Sequence, residues 1–250
     1  MPVPAVALVD RSPHPLSTPL LAHVAQALQT QVDRDFSAAW GARARVAAVS
    51  GSGAPPGTWP IFLVDVPETG FGVHLDSSGQ PYAEVRAGAG WTLVASHLLL
   101  EMIADPGGGR FMEGPRIGSL FEQRPVRYLV EVCDPCRVFH YVIDGVEVSD
   151  FVTPDYFRAD GTAVDFLRLL LRPLEVRRGC SLAWQDPVDG HWHQKRRDGT
   201  LARSRDPIEA LRNPREERDR AFPGDADRHT LSAVRRTVAA AATAGRRRAR

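Results

Sequence analysis

The chain has 250 residues, of which 43% are hydrophobic and 24% charged, and this balance is typical of a soluble globular protein. No apolar run approaches the roughly 18 residues that a membrane-spanning helix needs, and the N-terminus lacks the basic region of a secretory signal. The sequence therefore predicts a cytoplasmic protein without a membrane anchor. Three cysteines are too few for a disulfide framework.

The net charge of +1 conceals an uneven distribution of charge. Sixteen basic and eight acidic residues lie between 195 and 250, so this segment carries +8 and residues 1–194 carry −7. We expect one globular domain over residues 1–195 and a basic extension over 196–250 that is flexible or loosely docked. No recognition motif or aromatic interleaving accompanies the tail arginines, so nucleic acid is not an expected partner.

The first third of the chain alternates strand and helix patterns. Ser17 and Pro19 form a helix-start signal, and apolar residues then recur at helical spacing to about Asp33 or beyond. Short apolar runs predict strands over residues 5–10, 45–49, 59–66, 72–75 and 82–86. A Ser-Ser-Gly turn separates the last two strands, which indicates a hairpin or an edge segment.

The second half of the chain is richer in turn signals. After the glycines at 107–109 we expect a less ordered stretch up to Gln123, then strands over 127–132 and 138–143, with an Asp-Gly turn leading into a further strand. A short helix is predicted over 165–171, and a hairpin around residues 189–190 that leaves the His-Trp-His segment 191–193 exposed.

The most informative segment is 93–105, which is apolar almost all round. His97, Glu101 and Asp105 break the pattern at spacing i, i+4, i+8, which places them on one face of a helix. A helix that is apolar on its other faces is normally buried, and a buried imidazole or carboxylate is costly unless it is hydrogen-bonded or bound to a metal. The stripe therefore indicates either a metal site or a buried network in which His97 and Glu101 hydrogen-bond to each other, or to Ser96 and Glu131.

The order of predicted elements resembles the zincin core of metallopeptidases, which ends in a buried helix carrying His-x-x-x-Glu. Local sequences are also similar to an uncharacterised bacterial family whose helix reads Ser-His-Glu-x-x-Glu-Met-x-x-Asp-Pro. The similar blocks are residues 32–36 with 40–41, 96–106, 131–135 and 148–154. The resemblance implies an α/β (α+β) fold with a zincin-like mixed sheet, a buried active-site helix and a metal site for which zinc is the expected ion.

The sequence departs from the zincin pattern directly after the histidine. Zincins carry a glutamate there that activates the metal-bound water, whereas this chain has Leu98. Glu101 stands where zincins have their second histidine, and a carboxylate is an acceptable zinc ligand. The resemblance therefore implies a metal site in which ordinary peptide hydrolysis is disabled.

A tetrahedral site needs a third protein ligand, and Glu131 and Asp134 fit best because both lie at the end of a predicted strand in a matched block. The predicted metal ligands are His97, Glu101 and Glu131. Glu131 and Asp134 are also the candidate catalytic residues, since a proton acceptor must come from a position other than 98.

Other polar residues are weaker candidates. Asp150 is an alternative ligand, and Asp105 fits a hydrogen bond to a ligand or to the glycine turn after the helix. His74 lies on the predicted edge segment and either faces the site or is solvent-exposed. Cys133 and Cys136 form a single Cys-x-x-Cys without a second pair, which favours a turn with one buried and one exposed thiol.

Three functions fit these patterns. The first is a degenerate metallopeptidase-like protein with a divalent metal on its histidine and glutamate. The second is a non-catalytic module that holds a peptide or protein segment along its edge strand. The third is a small-molecule biosynthetic enzyme built on the same scaffold.

Overall fold

The computed structural model describes residues 3–66, 72–77, 80–117, 124–196 and 201–204, with residues 72–77 and 201–204 described by their backbone alone. Within this part the chain is a mixed α/β protein of two five-stranded sheets, one separate hairpin and few helices. The predicted α+β class is confirmed. No helix in the described part is long and apolar enough to cross a bilayer.

The first sheet forms from the first third of the chain. Its strands are β1 (Ala5–Asp10), β2 (Arg45–Val49), β3 (Trp59–Val64), β4 (Gly72–Ser77) and β5 (Gln80–Arg86). Their order is β2-β1-β3-β5-β4, with the first four parallel and β4 antiparallel at the edge. Strands β1 and β3 are buried on both faces, as their continuous apolar sequences predict. All five predicted strands and the edge hairpin are confirmed.

The first helix is longer and less regular than its sequence pattern indicates. Helix α1 (Thr18–Thr30) begins after Ser17, whose hydroxyl accepts a hydrogen bond from a backbone N–H of the first turn. It continues without a break into a π-helical segment, Gln31–Phe36, and then into helix α2 (Ser37–Trp40). Gly41 ends the run at φ 65°, a left-handed conformation that favours glycine.

The second sheet is antiparallel and uses the later part of the chain. Its strands are β6 (Phe111–Pro115), β7 (Pro125–Leu129), β10 (Ser181–Gln185), β11 (Trp192–Arg196) and β12 (Leu201–Ser204), in the order β12-β11-β10-β7-β6. Strands β8 (His140–Ile143) and β9 (Val146–Ser149) form the separate hairpin around the predicted Asp-Gly turn. Strand β12 continues the sheet beyond residue 195, and most of the predicted basic extension lies outside the described residues.

Helix α3 (Trp91–Ala104) is the predicted polar-striped helix, and it is buried from Ala95 to its end. It packs against β5 and β4 of the first sheet and against β9. Asp105 follows it and accepts a hydrogen bond from the backbone N–H of Arg110 at 2.7 Å. The predicted role of Asp105 at the glycine turn is thereby confirmed.

Two predicted secondary-structure assignments are wrong. Strand β6 occupies part of the stretch expected to have little order, and its Gly114 packs so closely that a Cβ there would collide with the carbonyl oxygen of Phe157. Residues 165–171 form no helix. Asp165 instead bridges to Val152 and accepts hydrogen bonds from two backbone N–H groups that follow it, so its short polar side chain closes a turn.

The second hairpin is present, but only His191 lies next to its turn, where it is half-buried. Strand β11 pairs with β10 on one side and with β12 on the other, so Trp192 and His193 are buried within the sheet. His193 stacks on Trp184 with ring centroids 5.2 Å apart. For Trp192 and His193 the prediction of exposure is wrong, because the sequence did not indicate a further strand on the outer side of β11.

Candidate metal centre

Two polar side chains of α3 meet in the interior, one helical turn apart. Nε2 of His97 lies 2.9 Å from Oε1 of Glu101. His97 is 7% exposed and Glu101 is 1% exposed. The helical spacing places the two groups one above the other, and the apolar faces of α3 hold the helix in the core. The predicted pair therefore exists and is withdrawn from solvent.

The chain after β7 places three more potential metal ligands next to α3, namely Glu131, Cys133 and Asp134. Oδ1 of Asp134 lies 3.6 Å from Nε2 of His97, and Ser181 on β10 donates a hydrogen bond to Oδ2 of Asp134 at 3.2 Å. The thiol of Cys133 donates to the carbonyl oxygen of His97 at 3.7 Å. Glu131 is half-buried, and its side chain is hydrogen-bonded to that of Glu101.

Three of these residues form a compact set of ligands. One ligand atom each from His97, Glu101 and Cys133 lie within 4.8 Å of one another, and all three residues are buried. Imidazole nitrogen, carboxylate oxygen and thiolate sulfur are the donors that zinc uses in proteins. This cluster could hold a metal ion.

The imidazole is held in the form that binds metals. Burial lowers the pKa of His97 to about 4, with Asp134 opposing the change and Arg137 adding to it. The ring is therefore neutral near pH 7, and a neutral ring nitrogen is what a metal ion requires.

Each acidic group of the cluster disfavours the ionised form of its neighbours. Burial raises the pKa of the Glu101 carboxyl, and Asp134 raises it further. Burial likewise raises the pKa of Glu131, with Glu101 and Asp134 adding to the effect, and burial raises the pKa of the Cys133 thiol. Such groups must bind protons or a cation, and a divalent metal can replace the protons. The donor set therefore fits a metal ion in both chemistry and charge.

The structure brings together the principal predicted residues and separates the weaker ones. His97, Glu101, Glu131 and Asp134 share one cluster. Asp150 lies elsewhere, because its carboxyl accepts from the backbone N–H of Leu167 and is hydrogen-bonded to Asp165. The side chain of His74 lies outside the described part of the chain.

The sequence interpretation missed Cys133 as a donor. Cys133 and Cys136 are both fully buried in a 3-10 turn, so the prediction of one exposed thiol is wrong. The position of Cys133 in the sequence could have indicated this role, because it lies between the two predicted acidic site residues Glu131 and Asp134.

Two further side chains of α3 lie away from the cluster. Leu98, at the position of the zincin base, is fully buried in the main hydrophobic core. Ser96 donates to Oε1 of Gln31 at 2.7 Å and accepts from the backbone N–H of Ser149 at 2.9 Å. The alternative in which Ser96 completes a network with His97 is therefore wrong.

No family model matches the chain, and comparison with curated proteins and with solved structures gives no match either. Any function of this protein is therefore inferred from its own residues.

Proposed function

We propose that this chain is a zinc-binding protein of zincin-like, metallopeptidase-like build whose ion is held by His97, Glu101 and Cys133. The observation that carries the proposal is the approach of one donor atom from each residue to within 4.8 Å of the others in the protein interior. The sheet supports it, because a mixed sheet with one antiparallel edge strand beside a buried helix is the arrangement that the zincin resemblance implies.

The surrounding residues have distinct roles in this proposal. Ser181 fixes one oxygen of Asp134 and leaves the other facing His97, so Asp134 borders the ion. Glu131 is more exposed than the other cluster residues and is the carboxyl best placed to exchange a proton with a ligand. A bound zinc ion with an open position would polarise a carbonyl group. Leu98 can accept no proton, so peptide hydrolysis by the zincin route is not expected.

The first test is the metal content of the purified full chain, measured by mass spectrometry after the affinity tag is removed. We expect about one zinc per chain in the parent protein and a loss of most of it in His97→Ala and Glu101→Gln. A metal-free parent, or equal zinc in the parent and both variants, would overturn the proposal in favour of a hydrogen-bonded polar network.

Cys133 and Cys136 provide a matched pair of variants. Both thiols are fully buried in the same turn, but the Cys136 thiol donates to the carbonyl oxygen of Cys133 at 3.7 Å and is not part of the ligand set. In cobalt-loaded protein we expect a thiolate-to-cobalt absorption band that Cys133→Ser removes and Cys136→Ser retains. A band that survives Cys133→Ser would exclude the sulfur ligand.

A peptidase assay separates a degenerate site from an active one. The zinc-loaded chain is expected not to cleave an unfolded protein substrate, since residue 98 carries no carboxylate. Cleavage by the parent protein that His97→Ala abolishes would contradict the assignment of a degenerate peptidase, but it would agree with the proposed metal site. The alternative role as a peptide-binding module would then be withdrawn in favour of catalysis.

A further inference from the structure

The second sheet presents a buried polar surface next to the proposed metal centre. Successive side chains of β11 alternate between its two faces, so Gln194 and Arg196 share one face while Lys195 lies on the other. Arg196 pairs directly opposite Ser181 on β10, and directly opposite side chains share a face about 5 Å apart. Because Ser181 holds Asp134 at 3.2 Å, this face adjoins the metal cluster.

The side-chain amide on this face has a fixed orientation. Nε of Arg196 donates to Oε1 of Gln194 at 2.7 Å. A guanidinium group only donates, so the amide oxygen must face it and the amide cannot be flipped. The Nε2 group of Gln194 therefore occupies the other end of the amide.

This amide nitrogen lacks an acceptor. Gln194 is 1% exposed, and in the described part of the chain its Nε2 has no hydrogen-bond partner. Buried polar groups are normally hydrogen-bonded, because an unpaired N–H away from water is costly. Nε2 of Gln194 thus needs an oxygen atom that the described residues do not supply.

The charges around this position favour a negatively charged oxygen. Arg196 is buried beside Gln194, and Arg137 is buried close enough to the cluster to lower the pKa of His97 and Glu101. Guanidinium groups pair with carboxylates through two parallel hydrogen bonds more effectively than ammonium groups do.

We propose that Gln194 and Arg196 form a binding subsite for the carboxylate of a small-molecule ligand whose other end reaches the metal cluster. The location of the reacting end rests on the proposed function, but the subsite itself depends only on the face of β11. One carboxylate oxygen accepts from Nε2 of Gln194, and the guanidinium of Arg196 provides the opposite charge. The ligand class is thus a carboxylate with a second polar group near the metal.

The test is titration of the zinc-loaded full chain with succinate, followed by calorimetry. Gln194→Glu is the sharpest variant, because it keeps the size and the oxygen that Arg196 contacts but replaces the amide donor with a like charge. We expect Gln194→Glu and Arg196→Gln to weaken succinate binding by about tenfold or more. Lys195→Gln removes the same charge from the other face of the strand and is expected to leave binding unchanged.

The outcomes distinguish this subsite from the metal site. Loss of succinate binding in Gln194→Glu with unchanged zinc content supports the subsite. If the parent protein holds no zinc but binds succinate, and Gln194→Glu loses that binding, the subsite is supported while the metal proposal is refuted. The subsite is overturned if the parent protein binds no succinate, if Lys195→Gln weakens binding equally, or if inorganic phosphate binds more tightly than succinate. Simultaneous loss of zinc and succinate in Gln194→Glu would also overturn it, because the residue would then support the cluster.

Discussion

Two neighbouring residues of α3 illustrate two ways of burying polar groups. Ser96 and His97 are both buried, but they point into different surroundings. The hydroxyl of Ser96 enters a network of neutral groups whose one adjoining carboxylate, Asp35, is ion-paired with Arg34. The imidazole of His97 instead enters a group of carboxyls and a thiol. The first region is complete without a ligand, and the second has an excess of acidic groups that a cation would neutralise.

The neutral network closes around Gln31. Its Oε1 accepts from Ser96 at 2.7 Å, and its Nε2 donates to the carbonyl oxygen of Ser149 at 2.8 Å and to the hydroxyl of Tyr141 at 3.2 Å. The π-helical segment delivers this side chain to the interior between α3 and β9. A network of this kind contributes to stability and has no need of a metal.

We therefore expect the largest loss of stability from a variant on the side of α3 that Ser96 faces. Gln31→Ala removes three hydrogen bonds and leaves buried partners unpaired, so we expect the free energy of unfolding to fall by about 3 kcal/mol. Zinc content per folded chain should stay at the parent level. Chemical denaturation together with metal analysis measures both quantities.

Gln26 on α1 is a suitable control for this variant because its side chain is exposed on the same continuous helical run. Gln26→Ala is expected to change the free energy of unfolding by less than about 0.5 kcal/mol. If Gln31→Ala lowered zinc content as much as His97→Ala does, the two sides of α3 would form one coupled site and not two independent regions.

A third buried region shows how two acidic side chains can be accommodated in the interior without a metal ion. Asp150 and Asp165 are hydrogen-bonded to each other, and burial together with Asp165 raises the pKa of Asp150 from 3.8 to about 8. The folded state therefore binds this proton more tightly than the unfolded state does. Stability from this source is present at low pH and is lost as pH rises from about 4 to about 8.

Asp150→Asn makes the neutral form permanent. The amide keeps an oxygen for the backbone N–H of Leu167 and donates to Asp165. We therefore expect the free energy of unfolding of the variant to exceed that of the parent by about 2 kcal/mol near pH 8.5, and this difference to shrink toward pH 4. Unfolding of the metal-free protein at several pH values measures this difference. The exposed Asp33→Asn is the control, and a difference that did not grow with pH would contradict the shared-proton interpretation.

The sequence predicted much of the candidate site because helical spacing is a local property. His97 and Glu101 lie one turn apart on any helix, and their apolar neighbours imply burial. The same reasoning could not identify Ser181, which reaches Asp134 from a strand 47 residues later in the chain. Nor did it identify Cys133, because the depth of a thiol depends on the packing of elements that are distant in sequence.

The errors in the fold have the same physical origin. Segment 165–171 has the composition of a short helix, but hydrogen bonds to the carboxylate of Asp165 compete with helix formation. Strand β6 depends on pairing with β7, and no local pattern in its five residues predicts that pairing. Long-range pairing, rather than local preference, therefore decides these elements.

The smallest expected effect concerns the orientation of Asp134. Ser181→Ala removes the hydrogen bond to Oδ2, so the carboxylate is held less firmly beside His97. Loss of a hydrogen bond that supports the residues around a metal ion commonly weakens metal affinity by about tenfold, and we expect a change of that size in a competitive zinc titration. Ser37→Ala is the control: this half-buried hydroxyl donates to the backbone of Asp33, and its removal should leave the zinc affinity unchanged. Unchanged zinc affinity in Ser181→Ala would place Asp134 outside the ion's surroundings, whereas a tenfold loss would link the second sheet to the metal centre through a single hydroxyl group.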